Sequence, residues 1–203
     1  MSASTPVGAP GPLDEDPRTI ASNLYVGVRL LASAIAFLFI SFVFAYFYLK
    51  AVNSNGDFRP ARISPQQGFG IAILVCVLAA TAAFERARRH LAAGAERAWQ
   101  SASIGALALG VIVVILQIVQ YLGLFHTGAG GYASVFWGWT LVFLVCWLGA
   151  VYWVETLVAQ TLRRLQGSAS AQSLGGSADA CTVLLYTLAG IELVSYVLLY
   201  LIK

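Results

Sequence analysis

The chain of 203 residues is poor in charge and contains only two histidines. Charged side chains make up 10% of the sequence, whereas hydrophobic side chains make up 59%, and the mean hydropathy is +0.79. A water-soluble domain of this length could not carry that balance on its surface, so the expected solvent is a lipid bilayer. The few basic residues stand at the ends of apolar runs, which excludes a continuous nucleic-acid-binding surface.

The usual protein ligands of redox metals are missing from the apolar runs. His90 falls in an Arg-rich segment and His126 in a short loop. Because no two histidines can face a bundle interior, the chain by itself is not expected to hold b-type haem, a haem–copper centre or a histidine copper site. The three cysteines show no CxxC spacing, so neither structural zinc nor a disulfide is predicted. We expect no catalytic centre, cofactor or metal site in this chain.

Five apolar runs are long enough to cross a bilayer as helices, which takes about 20 residues each. The sequence therefore predicts an all-α, five-helix membrane bundle over residues 20–203. A cytoplasmic tail over 1–19, rich in Pro, Gly and acidic residues, precedes it. A segment of mostly Ser, Ala, Gly and Gln predicts a mobile cytoplasmic loop over 166–178. The predicted spans are about 24–49, 68–84, 102–125, 132–154 and 180–202.

Basic residues in the connections predict the orientation. Alternating the connections across the membrane puts seven Lys and Arg on one side and four on the other. The richer side is expected to be cytoplasmic, which places the N-terminus inside and the C-terminus outside. The seven are Arg18, Arg86, Arg88, Arg89, Arg97, Arg163 and Arg164, and the four are Lys50, Arg59, Arg62 and Lys203.

One carboxylate, Glu192, falls near the middle of the fifth predicted span. An ionisable residue at that depth marks a functional hypothesis by default. The alternative is a protonated or hydrogen-bonded carboxyl that only ties the fifth helix to a neighbour. Candidate partners are Gln117, Gln120 and Arg29, and the two glutamines, three residues apart, share one helix face.

The third and fourth spans carry a pattern of polar and aromatic residues, and the first span ends in an aromatic run. The pattern consists of Gly110, Gln117, Gln120 and Tyr121, then Tyr132-Ala133-Ser134-Val135-Phe136-Trp137, with Phe44-Ala45-Tyr46-Phe47-Tyr48 in the first span. It resembles subunit III of haem–copper oxidases (cytochrome c oxidase) in its five-helix form. The resemblance covers nearly all of residues 24–203.

This resemblance implies a function for the chain. It implies an accessory, non-redox subunit of an aerobic respiratory terminal oxidase, accepting electrons from cytochrome c or quinol, in a prokaryotic plasma membrane. Haem and copper are then expected in catalytic subunit I, against which the chain packs together with other oxidase subunits, and bound phospholipid and support of proton uptake are also implied. The motif residues implied to be structural are Gly110, Tyr121, Tyr132, Ser134, Phe136 and Trp137.

Two alternatives to the oxidase interpretation remain open. One is a subunit III relative recruited to another membrane complex, such as a nitric-oxide reductase. The other is an independent channel or transporter that uses Glu192 as its ion site. The sparse polar residues of the spans and the lack of an internal repeat argue against the second alternative.

The sequence departs from the family pattern at buried polar positions. The carboxylate that the family places in its first helix aligns with Ala36, and the acidic residue before the motif tyrosine is Gln120. The family's histidines on the fourth helix fall on Phe143 and Cys146. Since Ala36 and Glu192 both lie near mid-membrane by count, one hypothesis is that the buried carboxylate moved from the first helix to the fifth.

Overall fold

The computed structural model describes residues 17–52, 58, 66–124, 131–165 and 171–202. These residues form five long helices, each with a stretch apolar and long enough to cross a membrane, and they include no strand. This confirms the predicted all-α fold of a multi-pass membrane protein. The helices are α1 Pro17–Val52, α2 Gln67–Ala92, α3 Glu96–Leu124, α4 Gly131–Leu165 and α5 Ala171–Tyr196, and a π-helical turn, Val197–Leu201, continues α5.

Several helices extend beyond the apolar runs that predicted them. The 35 residues of α4 rise about 52 Å, whereas the hydrocarbon core is about 30 Å thick. Hydropathy detects only the segment in hydrocarbon, so the prediction ends the fourth span at residue 154, whereas α4 continues to Leu165. The tail predicted over 1–19 also ends earlier, because α1 begins at Pro17, and proline fits the first turn of a helix. The tail's residues 1–16 lie outside the described residues, as does His126.

The loop predicted over 166–178 is wrong for its second part, because α5 begins at Ala171. Small side chains there allow close helix packing, which outweighs the weak helix propensity of Gly and Ser. Leu174 and Ala178 are buried, and the Trp153 indole N–H donates a 3.1 Å hydrogen bond to Ser177 Oγ. Residues 166–170 lie outside the described part.

The fifth helix is the centre of the bundle. It packs against α1, α2 and α4, and the remaining contacts join α2 to α3, α3 to α4, and α4 to α1. In the most apolar 18-residue stretch of α5, 56% of the residues are buried, compared with 17% in the corresponding stretch of α1. Residues on α5 are therefore enclosed by other helices, whereas α1 leaves much of its surface to lipid or to another protein.

Two contacts define how α1 and α5 align. A methyl group on Gly176 would lie 3.0 Å from the Ala21 Cβ, and the Tyr46 hydroxyl donates a 3.0 Å hydrogen bond to the Ile202 carbonyl. The residue numbers differ by 155 in the first contact and by 156 in the second. Because this difference is nearly constant along the helices, α1 and α5 run parallel in a single register. In this register Ala36 of α1 lies at the depth of Glu192 of α5.

Tryptophan side chains hold α4 to its neighbours. A buried indole N–H needs an acceptor, because lipid offers none. Four indoles donate hydrogen bonds from one helix to another, and each bond has α4 on one side. The pairs are Trp99 with Thr161 Oγ1 (2.8 Å), Trp147 with the Gly110 carbonyl (3.0 Å), Trp139 with Ser195 Oγ (2.6 Å) and Trp153 with Ser177 Oγ (3.1 Å).

Candidate functional site

A chain of polar side chains runs from α3 to α5 inside the bundle. Gln117 Nε2 donates a 3.0 Å hydrogen bond to Gln120 Oε1, and Gln120 Nε2 donates to the Tyr200 hydroxyl. All three residues are buried, with exposed fractions of 2–4%. The spacing of three residues on α3 is what allows the two amides to meet. The hydroxyl proton of Tyr200 is left free to donate further.

Tyr200 is positioned by the π-helical turn and by a glycine on α2. Ring atoms of Tyr200 lie 2.7–2.9 Å from the place where a Cβ on Gly70 would be, so only glycine lets the ring approach. Phe136 and Tyr196 pack against the same ring, with centroid distances of 6.0 and 5.5 Å. The π turn is closed by a 3.0 Å bond from the Ile202 amide to the Val197 carbonyl, a geometry often found at functional positions.

Glu192 is buried beside this polar chain, with 7% of its surface exposed. The helix α4 runs antiparallel to α5, with Trp139 paired to Ser195 and Trp153 to Ser177. Thr140 of α4 therefore lies at the same depth as Glu192. Among the described residues its carboxyl has no hydrogen-bond or ion-pair partner. An ionised carboxyl without a counter-ion is costly in such surroundings.

Tyr121 provides a second polar group without a partner close to Glu192. Its ring stacks on Trp137 with a centroid distance of 4.5 Å, and its buried hydroxyl makes no hydrogen bond of good geometry. Thr140 and Gln117 lie beside that hydroxyl, and Glu192 is near enough to interact with it electrostatically. An unpaired donor and an unpaired carboxyl in one buried cluster can take up a proton or a bridging water.

The other motif residues form packing contacts around this cluster. The Tyr132 hydroxyl donates a 2.6 Å bond to the Leu199 carbonyl, inside the π turn. The Tyr132 amide donates to the Phe58 carbonyl, and the Phe136 ring lies against that of Tyr132. Gly110 accepts the Trp147 bond described above, and a Cβ there would lie 2.9 Å from Val151 Cγ2. Ser134 is exposed.

Arg29 lies elsewhere, on an exposed face of α1. Its guanidinium donates a 2.8 Å hydrogen bond to the Tyr25 hydroxyl and lies 4.3 Å from the centre of that ring. Glu192 is not among its partners. Of the three candidate partners of Glu192, only the two glutamines therefore belong to the buried cluster.

The described residues do not fit a haem or copper site. His90, near the end of α2, is the single histidine among them, and the three cysteines lie on different helices, α2, α4 and α5. Within residues 17–52, 58, 66–124, 131–165 and 171–202, no three His, Cys, Asp or Glu side chains come together as metal ligands would. No redox step is assigned to these side chains.

Neither a protein-family model nor a curated protein matches the chain.

Several residues of the cluster were not singled out by the sequence. Thr140, Ser195 and Trp139 stand in apolar runs, where single polar atoms give no periodic signal. Tyr200 lies at the end of the fifth apolar run, where an aromatic residue is common and gives no sign of a buried partner. The one general signal is chemical, since a Trp or Tyr within a span needs a hydrogen-bond partner on a neighbouring helix.

Proposed function

We propose that this chain is an accessory, non-redox subunit of a haem–copper terminal oxidase, similar to subunit III. Its role would be to pack against the catalytic subunit, which holds the haem and copper, and to stabilise that subunit during turnover. The electron donor, cytochrome c or quinol, is bound by another subunit. The proposal includes a prokaryotic plasma membrane, an N-terminus in the cytoplasm and a C-terminus outside, in agreement with the distribution of basic residues.

The observation that carries the proposal is the place of the motif residues in the fold. Gly110 and Tyr121 of α3 contact α4, whereas Tyr132 and Phe136 of α4 contact the π turn that continues α5, so each makes a contact between helices. These four residues of the pattern that resembles subunit III are thus packing residues. Such a frame suits a protein that assists a neighbouring catalyst.

Purification of the tagged chain from its native membranes in mild detergent tests the proposal. We expect it to elute with larger polypeptides, with haem absorbance and with copper. The same procedure on untagged membranes controls for haem proteins that bind the resin. A colourless homo-oligomer as the main product would contradict the proposal and would favour a channel or transporter.

We further propose that Glu192 takes the role of the carboxylate that the family carries on its first helix. Ala36 stands at the family's position, and the register of α1 and α5 places Ala36 and Glu192 at one depth on adjacent helices. A carboxyl group moved to α5 would stay at the same level in the membrane. There it would support proton delivery to the catalytic subunit.

Replacement of Glu192 by glutamine is the test of this second proposal. Glutamine has the same shape, so assembly should be unchanged, while proton uptake and oxygen turnover of the complex should fall about two- to tenfold. This is less than the loss of a direct acid–base catalyst, because the group acts on a neighbouring subunit. Glu155→Gln, at an exposed position of α4, is the matched control. Equal rates in the wild type and both variants would contradict the role of Glu192.

A further inference from the structure

Two polar groups inside the bundle have hydrogen-bonding capacity that no other described residue uses. The Tyr121 hydroxyl is buried and makes no hydrogen bond. The Glu192 carboxyl is also buried and has neither a hydrogen-bond nor an ion-pair partner in the described part of the chain. The carboxyl is near enough to act on the hydroxyl electrostatically, so both belong to one cluster. Their proximity needs an explanation, because lipid offers no partner to either group.

The neighbouring side chains do not satisfy these two groups directly. The Thr140 hydroxyl donates its only proton to the Phe136 carbonyl at 2.7 Å, so its oxygen can only accept a further bond. Gln117 uses one amide N–H for Gln120 at 3.0 Å. Thr140 and Gln117 both lie beside the Tyr121 hydroxyl, yet neither is in a bonding position. Polar groups that are close together without bonding one another can be joined by a small molecule that both donates and accepts.

An apolar layer closes the cluster toward the N-terminal end of α5. It consists of one buried side chain each from α3, α4 and α5, and each lies one helical turn from a residue of the cluster. A molecule bound in the cluster is therefore cut off from that end of the bundle and must be held by the polar groups themselves. The layer is Val113, Phe143 and Leu188, one turn from Gln117, Thr140 and Glu192 respectively.

Water fits this cluster better than a metal cation. Ca²⁺ takes six to eight oxygen ligands and Mg²⁺ an octahedral set, usually with more than one anionic group. Glu192 is the one carboxylate here, and no group of three His, Cys, Asp or Glu side chains occurs in the part of the chain that the structure describes. A buried water needs only two to four polar partners. The cluster offers that number.

We propose that one water molecule is bound inside this cluster and joins Glu192 to Tyr121. The water accepts a hydrogen bond from the Tyr121 hydroxyl and donates to the carbonyl oxygen of the Glu192 carboxyl and to Thr140 Oγ1. Three hydrogen bonds are the usual number for a buried water. The carboxyl then remains a neutral acid, without the counter-ion that an ionised group would need. Tyr121 is thereby the residue that positions the Glu192 carboxyl.

Infrared spectroscopy of the full-length chain, in a detergent without ester groups, tests the water site. The wild-type spectrum minus that of Glu192→Gln should contain one C=O stretching band of a neutral carboxylic acid. In Tyr121→Phe this band should shift to higher wavenumber, because the carbonyl loses a hydrogen bond when the water loses its anchor. Tyr186→Phe is the matched control. It removes a hydroxyl from a ring of α5 that is 53% exposed, so the band should not move.

A crystal structure that shows ordered water locates the bound molecule itself. We expect density for one water within hydrogen-bond distance of Glu192, Tyr121 and Thr140 in the wild type, and its loss in Tyr121→Phe. Three results would overturn the proposal. They are a direct bond between Tyr121 and Glu192 without such density, an unshifted carboxyl band in Tyr121→Phe, and an equal shift in Tyr186→Phe.

Oxygen turnover of the purified complex tests whether Tyr121 acts through Glu192, a step that rests on the proposed role of that carboxyl in proton delivery. Tyr121→Phe should lower turnover about two- to fivefold in the wild-type background and should have no further effect in Glu192→Gln. An equal loss in both backgrounds would show that Tyr121 acts independently and would overturn this step. If Glu192→Gln alone leaves turnover unchanged, the proposed role of Glu192 fails, whereas the infrared band still decides the water site.

Discussion

Replacing Gly70 with valine is expected to disrupt the contact between α2 and α5 and to destabilise the protein by about 1–3 kcal/mol. The new Cβ would lie 2.7–2.9 Å from three ring atoms of Tyr200. The ring cannot move aside easily, because Gln120 donates to its hydroxyl and the rings of Tyr196 and Phe136 pack against it. Valine is apolar, so lipid itself does not oppose the change, and the loss must come from the steric clash.

Thermal unfolding in detergent measures this effect. The melting temperature of Gly70→Val should be lower than that of the wild type by roughly 2–12 °C, since each kcal/mol lowers it by about 2–4 °C in a protein of this length. Gly68→Val is the matched control, since it lies two residues away on the same helix and a Cβ there has no neighbour within 4 Å. Equal melting temperatures for the two variants would show that Tyr200 does not pack on Gly70.

Replacing Trp139 with alanine is expected to have the largest effect, about 3–5 kcal/mol of lost stability. The side chain is fully buried, and its ring lies 5.6 Å from that of Phe39 and 5.9 Å from that of Phe42. Its indole N–H also donates to Ser195. One residue thus joins α1, α4 and α5. Because lipid is as apolar as the core, the loss comes from packing contacts and from the hydrogen bond.

Two comparisons separate the parts of this effect. Trp139→Phe keeps most of the packing and loses one hydrogen bond, so it should cost about 1 kcal/mol. Tyr152→Ala removes an aromatic ring that is 66% exposed on the same helix, and its melting temperature should stay near that of the wild type. If Trp139→Ala melts no lower than Tyr152→Ala, the proposed junction of three helices is wrong.

The candidate site was only partly predictable. Glu192 stands out in the sequence because a carboxylate within an apolar run is rare, and Gln117 and Gln120 share a helix face by their spacing alone. Arg29 was also a candidate partner of Glu192 by its sequence position, but it lies on an exposed face of α1 and donates a hydrogen bond to Tyr25. Helix faces that look alike in one sequence are distinguished only by which neighbours pack against them.

The N-terminal end of α5 shows the same limit. Ser, Ala, Gly and Gln over 166–178 are typical of a linker, but the structure has a helix from Ala171. Gly176 brings α5 against Ala21, and Arg88 of α2 binds Asp179. These contacts join residues distant in the sequence, so local composition could not predict them.

The sequence by itself determined the solvent, the helical class and the number of spans. In lipid, a long apolar segment must satisfy its own backbone hydrogen bonds, and a helix is one of the few structures that can do so. Tertiary structure alone decided which helix lies at the centre and which polar groups meet. In lipid, apolar faces are nearly equivalent, and close packing and hydrogen bonds between helices select one arrangement.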